Sequence, residues 1–85
     1  MKVLVPGALR SYTREAQVDA AGATLGELFA DLDRRYPGLR FRVVDEQGQL
    51  RANMRVFVNG QGVRALGHPL QADDFVALVL ALSGG

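Results

Sequence analysis

Few residues in this chain are able to do chemistry. There is no cysteine and only one histidine. That excludes a disulfide scaffold, a zinc–thiolate site and a side-chain thiol acting as nucleophile or sulfur carrier. His68 stands between Gly67 and Pro69 and reads as a solvated turn residue, with no evident partner to orient it for acid–base work. One histidine also cannot make a metal site. Asp73 and Asp74 are adjacent acids, but a polar turn before a strand accounts for them better than paired-carboxylate catalysis. What remains is the end, Ala81-Leu82-Ser83-Gly84-Gly85, which follows the apolar run Phe75-Val76-Ala77-Leu78-Val79-Leu80. Gly84 and Gly85 lack Cβ and accept nearly any backbone conformation. The one reactive group this stretch presents is the terminal carboxylate of Gly85. The plain alternative is a frayed end or a cloning remnant.

The rest of the chain has to hold that group. With 85 residues it is expected to form a single domain over 1–85, with a flexible diglycine tail at about 82–85. The hydrophobic share of 48% is ordinary for a globular protein. Net charge is +1, and the ten basic residues (Lys2 and nine scattered arginines) form no block, so no nucleic-acid partner is expected. No stretch approaches the roughly 18 apolar residues of a membrane span. The start, Met1-Lys2-Val3-Leu4-Val5, is too short for a signal peptide. The expectation is a cytoplasmic protein, monomeric when free, with no membrane partner.

The elements follow from the pattern. Lys2–Val5 reads as a central strand ended by Pro6-Gly7. Residues 8–13 read as a loop, and Arg14–Ala20 as a half-exposed returning strand. Thr24 with Glu27 makes a capping box for a helix whose stripe is Leu25, Leu28, Phe29, Leu32 and Tyr36. Its polar side carries Glu27, Asp31, Arg34 and Arg35, with Asp31 and Arg35 spaced as an ion pair. Pro37-Gly38 stops the helix. Residues 39–44 read as either a short strand or a helical turn, with Phe41, Val43 and Val44 burying something. Met54–Val58, the Asn59-Gly60 hairpin signal and a partner strand over Gly62–Leu66 come next. Phe75–Leu80 is the last strand. The order strand, strand, helix, strand, strand, strand specifies an α+β fold with one helix covering one face of a mixed sheet.

That order, together with particular motifs, resembles the ubiquitin-like β-grasp fold and, more closely, the MoaD/ThiS family of bacterial sulfur carriers. The motifs are Val3-Leu4-Val5-Pro6, Thr24-Leu25-Gly26-Glu27-Leu28, Tyr36-Pro37-Gly38, Val56-Phe57-Val58-Asn59-Gly60, Val63-Arg64, the Leu70 and Asp73-Asp74 turn, and Ser83-Gly84-Gly85. Pro6 with Leu9-Arg10 and the Asn59-Gly60 to Val63-Arg64 stretch look most like the CysO-type carriers of cysteine biosynthesis. The resemblance implies a mixed sheet of four to five strands with one main helix. It implies a carrier that is not itself an enzyme. An E1-like partner would use ATP to adenylate Gly85, sulfide would displace AMP, and the resulting thiocarboxylate would pass its sulfur to a synthase. Such a carrier binds no cofactor of its own. It serves cysteine-type or molybdopterin-type synthesis, in the latter as the small subunit of a sulfur-transferring complex.

The chemistry is reasonable, because a carboxylate is a poor electrophile until it gains a leaving group. Gly84 and Gly85 permit entry into a narrow channel, and four extended residues reach about 13–14 Å. A docking surface is expected beside the tail. With Val3, Val5, Val56, Val58, Val76, Leu78 and Leu80 under the helix, Leu4, Phe57, Ala77 and Val79 fall on the open face, continuing into Ala81, Leu82 and Ser83. Arg10, Arg55 and Arg64 are candidates for a charged rim. The competing reading is a ubiquitin-like modifier joined through Gly85 to lysines. The same adenylate serves both, and Lys2 as the sole lysine argues weakly against polymeric chains.

Overall fold

The apolar run Phe75–Leu80 becomes the central strand of a five-stranded sheet. The structure is a computed structural model that describes residues 1–81, so Leu82, Ser83, Gly84, Gly85 and the expected tail lie outside the described residues. The strands are β1 (Lys2–Leu4), β2 (Gln17–Asp19), β3 (Met54–Val58), β4 (Gln61–Val63) and β5 (Phe75–Leu80), and the helices are α1 (Arg10–Thr13), α2 (Leu25–Arg35) and α3 (Leu39–Val43). Spatial order is β2-β1-β5-β3-β4. β1 and β5 run parallel, and every other pair is antiparallel. This is the β-grasp arrangement: a hairpin, a crossover helix and a parallel return strand.

The core lies between α2 and one face of the sheet. Leu25, Leu28, Phe29 and Leu32 share a buried cluster with Val3, Val5, Val56, Val58, Val76 and Leu78. Full burial of each such side chain contributes about 1.5–3 kcal/mol. Leu80, expected in the same layer, is only half-buried: it packs against the cluster but also lines an open cavity with Leu9 and Phe41. Tyr36 is likewise partly buried against the cluster.

The start of α2 is fully accounted for. The Glu27 N–H donates to Thr24 Oγ1 at 3.2 Å, and Glu27 Oε1 accepts from the Ala23 N–H at 3.2 Å. The Leu25 N–H donates to the His68 carbonyl at 3.0 Å and the Gly26 N–H to the Leu66 carbonyl at 2.8 Å. His68 is therefore a half-buried part of the helix cap and not a freely solvated turn residue. Ahead of the cap, Gly22 passes so close to α2 that a Cβ there would lie 2.4 Å from the Leu28 nitrogen.

Other local expectations are corrected or settled. Residues 8–13, read as loop, belong to a 3-10 turn (Gly7–Leu9) and α1, which drive Leu9 into the core. The second strand is Gln17–Asp19 and not Arg14–Ala20. Arg14 takes a left-handed φ of 63° at the end of α1, and Thr13 Oγ1 bonds the Glu15 carbonyl at 2.8 Å, so regular pairing starts later. Residues 39–43 settle as helix α3, which buries Leu39 and Val43 but leaves Phe41 58% exposed. The fourth strand is Gln61–Val63, because the chain beyond it turns to cap α2. Asp31, placed on the polar side of the helix, is buried: it accepts the Ala21 N–H at 2.9 Å and pairs with Arg34 and with Arg35.

The Asn59-Gly60 turn closes the β3–β4 hairpin as expected, with φ of 51° and 86°. Asn59 does more than turn. Its amide donates to Asp74 at 2.8 Å and its carbonyl oxygen accepts the Phe75 N–H at 2.9 Å, which ties the hairpin to the start of β5.

Candidate functional site

The helix covers one face of the sheet, so the other alternation phase of every strand faces outward. Across the middle, the register aligns Gln17, Leu4, Ala77, Phe57 and Gly62, one from each strand. Lys2 sits beside Phe75, and Arg55 beside Val79. The result is an apolar surface formed by Leu4, Phe57, Phe75, Ala77 and Val79. Ala77 is its low point, because a small side chain stands between Leu4 and Phe57. The Phe57 ring leans over Gly62, where an added Cβ would sit 3.8 Å from the ring.

All four sheet residues singled out from the sequence, Leu4, Phe57, Ala77 and Val79, lie on this face. Leu4 is 38% and Val79 42% exposed, while Phe57 and Ala77 are half-buried. Phe75, at 39%, belongs with them and was missed. Its signal was present, since it shares the phase of Ala77 and Val79 in one strand. Ala81 is half-buried and donates its N–H to the Asn53 carbonyl at 2.7 Å, so the sheet still grips the chain there. The remaining site residues, Leu82, Ser83, Gly84 and Gly85, are outside the described residues.

The three candidate rim arginines separate. Arg55 is on the open face and donates to the Ala52 carbonyl at 2.6 Å. Arg10 donates from Nε to the Val5 carbonyl at 3.3 Å. Arg64 instead staples the segment before β3, donating to the carbonyls of Met54, Leu50 and Arg51 at 2.9, 3.2 and 3.2 Å. At the rim, Lys2 pairs with Asp19 at 3.4 Å, and both are well exposed, so the pair is worth less than about 1 kcal/mol.

The body offers little to catalysis. Among the described residues no group of three His, Cys, Asp or Glu side chains is placed to hold a metal ion. Asp74 is held below the usual carboxylate range, first by the Gln71 N–H it accepts at 2.8 Å and then by the Asn59 amide, with His68 adding a weaker attraction. Such a carboxylate is satisfied as an anion and makes a poor proton donor. No helix among the described residues is long and apolar enough to cross a membrane.

Known proteins are similar to this chain over most of its length. The sulfur carrier protein CysO of Mycobacterium tuberculosis is 33% identical over 89 aligned residues, which cover 98% of this chain and 96% of the carrier. Small archaeal modifier protein 1 of Haloferax volcanii is 36% identical over 74 residues, covering 86% of this chain and 84% of the modifier. The crystal structure of the Amycolatopsis orientalis BexX/CysO complex contains a chain that superposes with a TM-score of 0.91 at 33% identity, covering 99% of this chain and 98% of that one. The profile of the ThiS family matches residues 3–85, a span that takes in the sheet, the helix and the diglycine. With the β-grasp fold and this match over nearly its whole length, the chain belongs to the ThiS family.

Proposed function

We propose that this protein is a sulfur carrier whose Gly85 carboxylate is activated and loaded by other enzymes. The observation that carries the reading is its likeness, over 98% of its length, to a sulfur carrier protein. In the first step an E1-like partner joins the Gly85 carboxylate to AMP from ATP, releasing pyrophosphate. In the second, hydrosulfide attacks the acyl carbon, AMP leaves and a proton is released, giving a thiocarboxylate. A sulfur-accepting synthase then takes the sulfur. The ATP belongs to the partner, and the carrier contributes an acyl group, a tail and a docking face. CysO-type likeness favours cysteine-type synthesis over the molybdopterin type, and a cytoplasmic, monomeric carrier fits both.

Docking is assigned to Leu4, Phe57, Phe75, Ala77 and Val79, continuing through Ala81 toward Leu82 and Ser83. An apolar surface of this kind on a sheet face is a common mark of a partner site. The Amycolatopsis structure is of a CysO chain in complex with a second protein, which supports a carrier that works by docking. The test is to incubate the protein with its adenylating partner, ATP and sulfide and to weigh it intact. The expected product gains the mass of one oxygen-to-sulfur exchange, localised to Gly85 by fragmentation, and a Gly85 deletion does not form it. The modifier reading is favoured by the likeness to small archaeal modifier protein 1. Gly85 found in amide linkage to target lysines, with no thiocarboxylate formed, would decide for it.

A further inference from the structure

The chain leaves its sheet at a place crowded with arginine. Beside the bond from Ala81 to Asn53 is a cavity of about 310 Å³ lined by Leu9, Phe41, Arg42, Arg51, Asn53 and Leu80. Phe41 is the most exposed large hydrophobic side chain among the described residues, at 58%. Arg51 lies over its ring, 4.8 Å from the centroid, and fixes itself there by donating Nε to the Phe41 carbonyl at 2.8 Å. Arg55 is held by the carbonyls of Ala52 and Met54, at 2.6 and 3.2 Å.

None of Arg42, Arg51 and Arg55 has an acid partner among the described residues, where the ion pairs are Lys2 with Asp19 and Asp31 with Arg34 and Arg35. Of the two acids on the α3–β3 connection, Asp45 and Glu46, neither pairs with an arginine among the described residues, and Asp45 turns one oxygen to the N–H groups of Gln47 and Gln49. Carbonyls orient the guanidinium groups of Arg51 and Arg55 without cancelling their charge. An ordered, unneutralised guanidinium is prepared for a carboxylate from outside.

Geometry fixes who must come close. Four residues beyond Ala81 span at most about 13–14 Å. A protein that reacts at Gly85 therefore has to bring its surface up to this spot, whatever else it touches. We propose that Phe41, Arg42, Arg51 and Arg55 form a collar that docks against an acidic rim, Asp and Glu side chains at the mouth of the pocket in the adenylating protein that receives the tail. The collar continues the open face, since Arg55 is the register partner of Val79. The proposal rests on the carrier reading and adds the chemistry by which the partner recognises the root of the tail.

Steady-state adenylation, followed as AMP release in the presence of sulfide, tests it. Arg42 is exposed and its side chain makes no hydrogen bond among the described residues, so Arg42→Glu is expected to leave the fold intact. Arg42→Glu is expected to raise the KM for the carrier about tenfold or more at low salt, with kcat unchanged. Arg42→Lys keeps the charge and stays near wild type. Arg34→Gln, which removes a charge on α2 outside the collar, also stays near wild type. The gap between wild type and Arg42→Glu closes toward about 0.5 M salt, where screening shortens the reach of charge. Equal KM values for Arg42→Glu and wild type, a loss shared by Arg42→Lys, or a salt-independent gap would overturn the collar. So would a wild-type dimer in sedimentation that Arg42→Glu dissociates, since the collar would then face a second copy. A wild-type chain that is never adenylated removes the carrier reading and this proposal together, whereas one that is adenylated but insensitive to Arg42→Glu removes only the collar.

Discussion

On the inner side of β5, Val76 and Leu78 are sealed at 0% and 2% exposure, while on its outer side Phe75 and Val79 stand at 39% and 42%. The residues are similar in type and alternate along one strand. They differ because the chain supplies one long helix, and one helix covers one face. Inside, every apolar group meets another, and burial there holds the fold. Outside, comparable side chains meet water and contribute little to folding. A strand that is apolar on both faces in a sheet covered on one face keeps one side for stability and leaves the other over from folding, the side the proposed function assigns to docking.

The contrast is broken most directly from the inside. Phe29 is fully buried at the centre of the cluster, and Phe29→Ala is expected to cost about 3–5 kcal/mol. For a domain of this size that approaches the whole stability, so urea melts should show little native protein. Next is Gly22→Ala, where the new Cβ would meet the backbone of α2, which cannot yield as a side chain would. A loss of about 1–3 kcal/mol by chemical denaturation is expected. Both changes should lower carrier activity only through loss of folded protein.

The outer face is expected to behave in the opposite way. Val79→Ser should change stability by less than about 1 kcal/mol, the span of strand preferences. It should nonetheless weaken partner binding about tenfold, if Val79 lies at the centre of the contact. Calorimetry on the variant and its adenylating partner reads the second number and melting the first. Equal losses in both would erase the distinction between the faces.

The smallest effect concerns the lashing of the hairpin to β5. Asp74 has a lowered pKa in the fold, so its contribution to stability is present above its unfolded value of about 3.9. That contribution fades as pH falls from there through the lower folded value. Wild type should lose stability on acidification below about pH 4. In Asp74→Asn that part of the acid sensitivity should vanish, leaving a flatter difference between urea midpoints at pH 6 and pH 3.

Sequence alone determined the elements that rest on period and local chemistry. The alternation in β5 and β3, the stripe of α2, the Thr24–Glu27 box and the Asn59-Gly60 turn are each decided by neighbours a few residues apart, so they could be read without the fold. The open face followed from them, because alternation assigns one phase inward and the other outward. Tertiary structure decided what depends on groups distant in the chain. Asp31 is buried because the Ala21 N–H and two arginines meet it there, and His68 became a cap because its loop folds back onto α2. Phe41 stayed outside because α3 offers Leu39 and Val43 to the core and turns residue 41 away. The gathering of Phe41, Arg42, Arg51 and Arg55 around the end of β5 has no signature in spacing, since helix, loop and strand bring them together only once the sheet has closed.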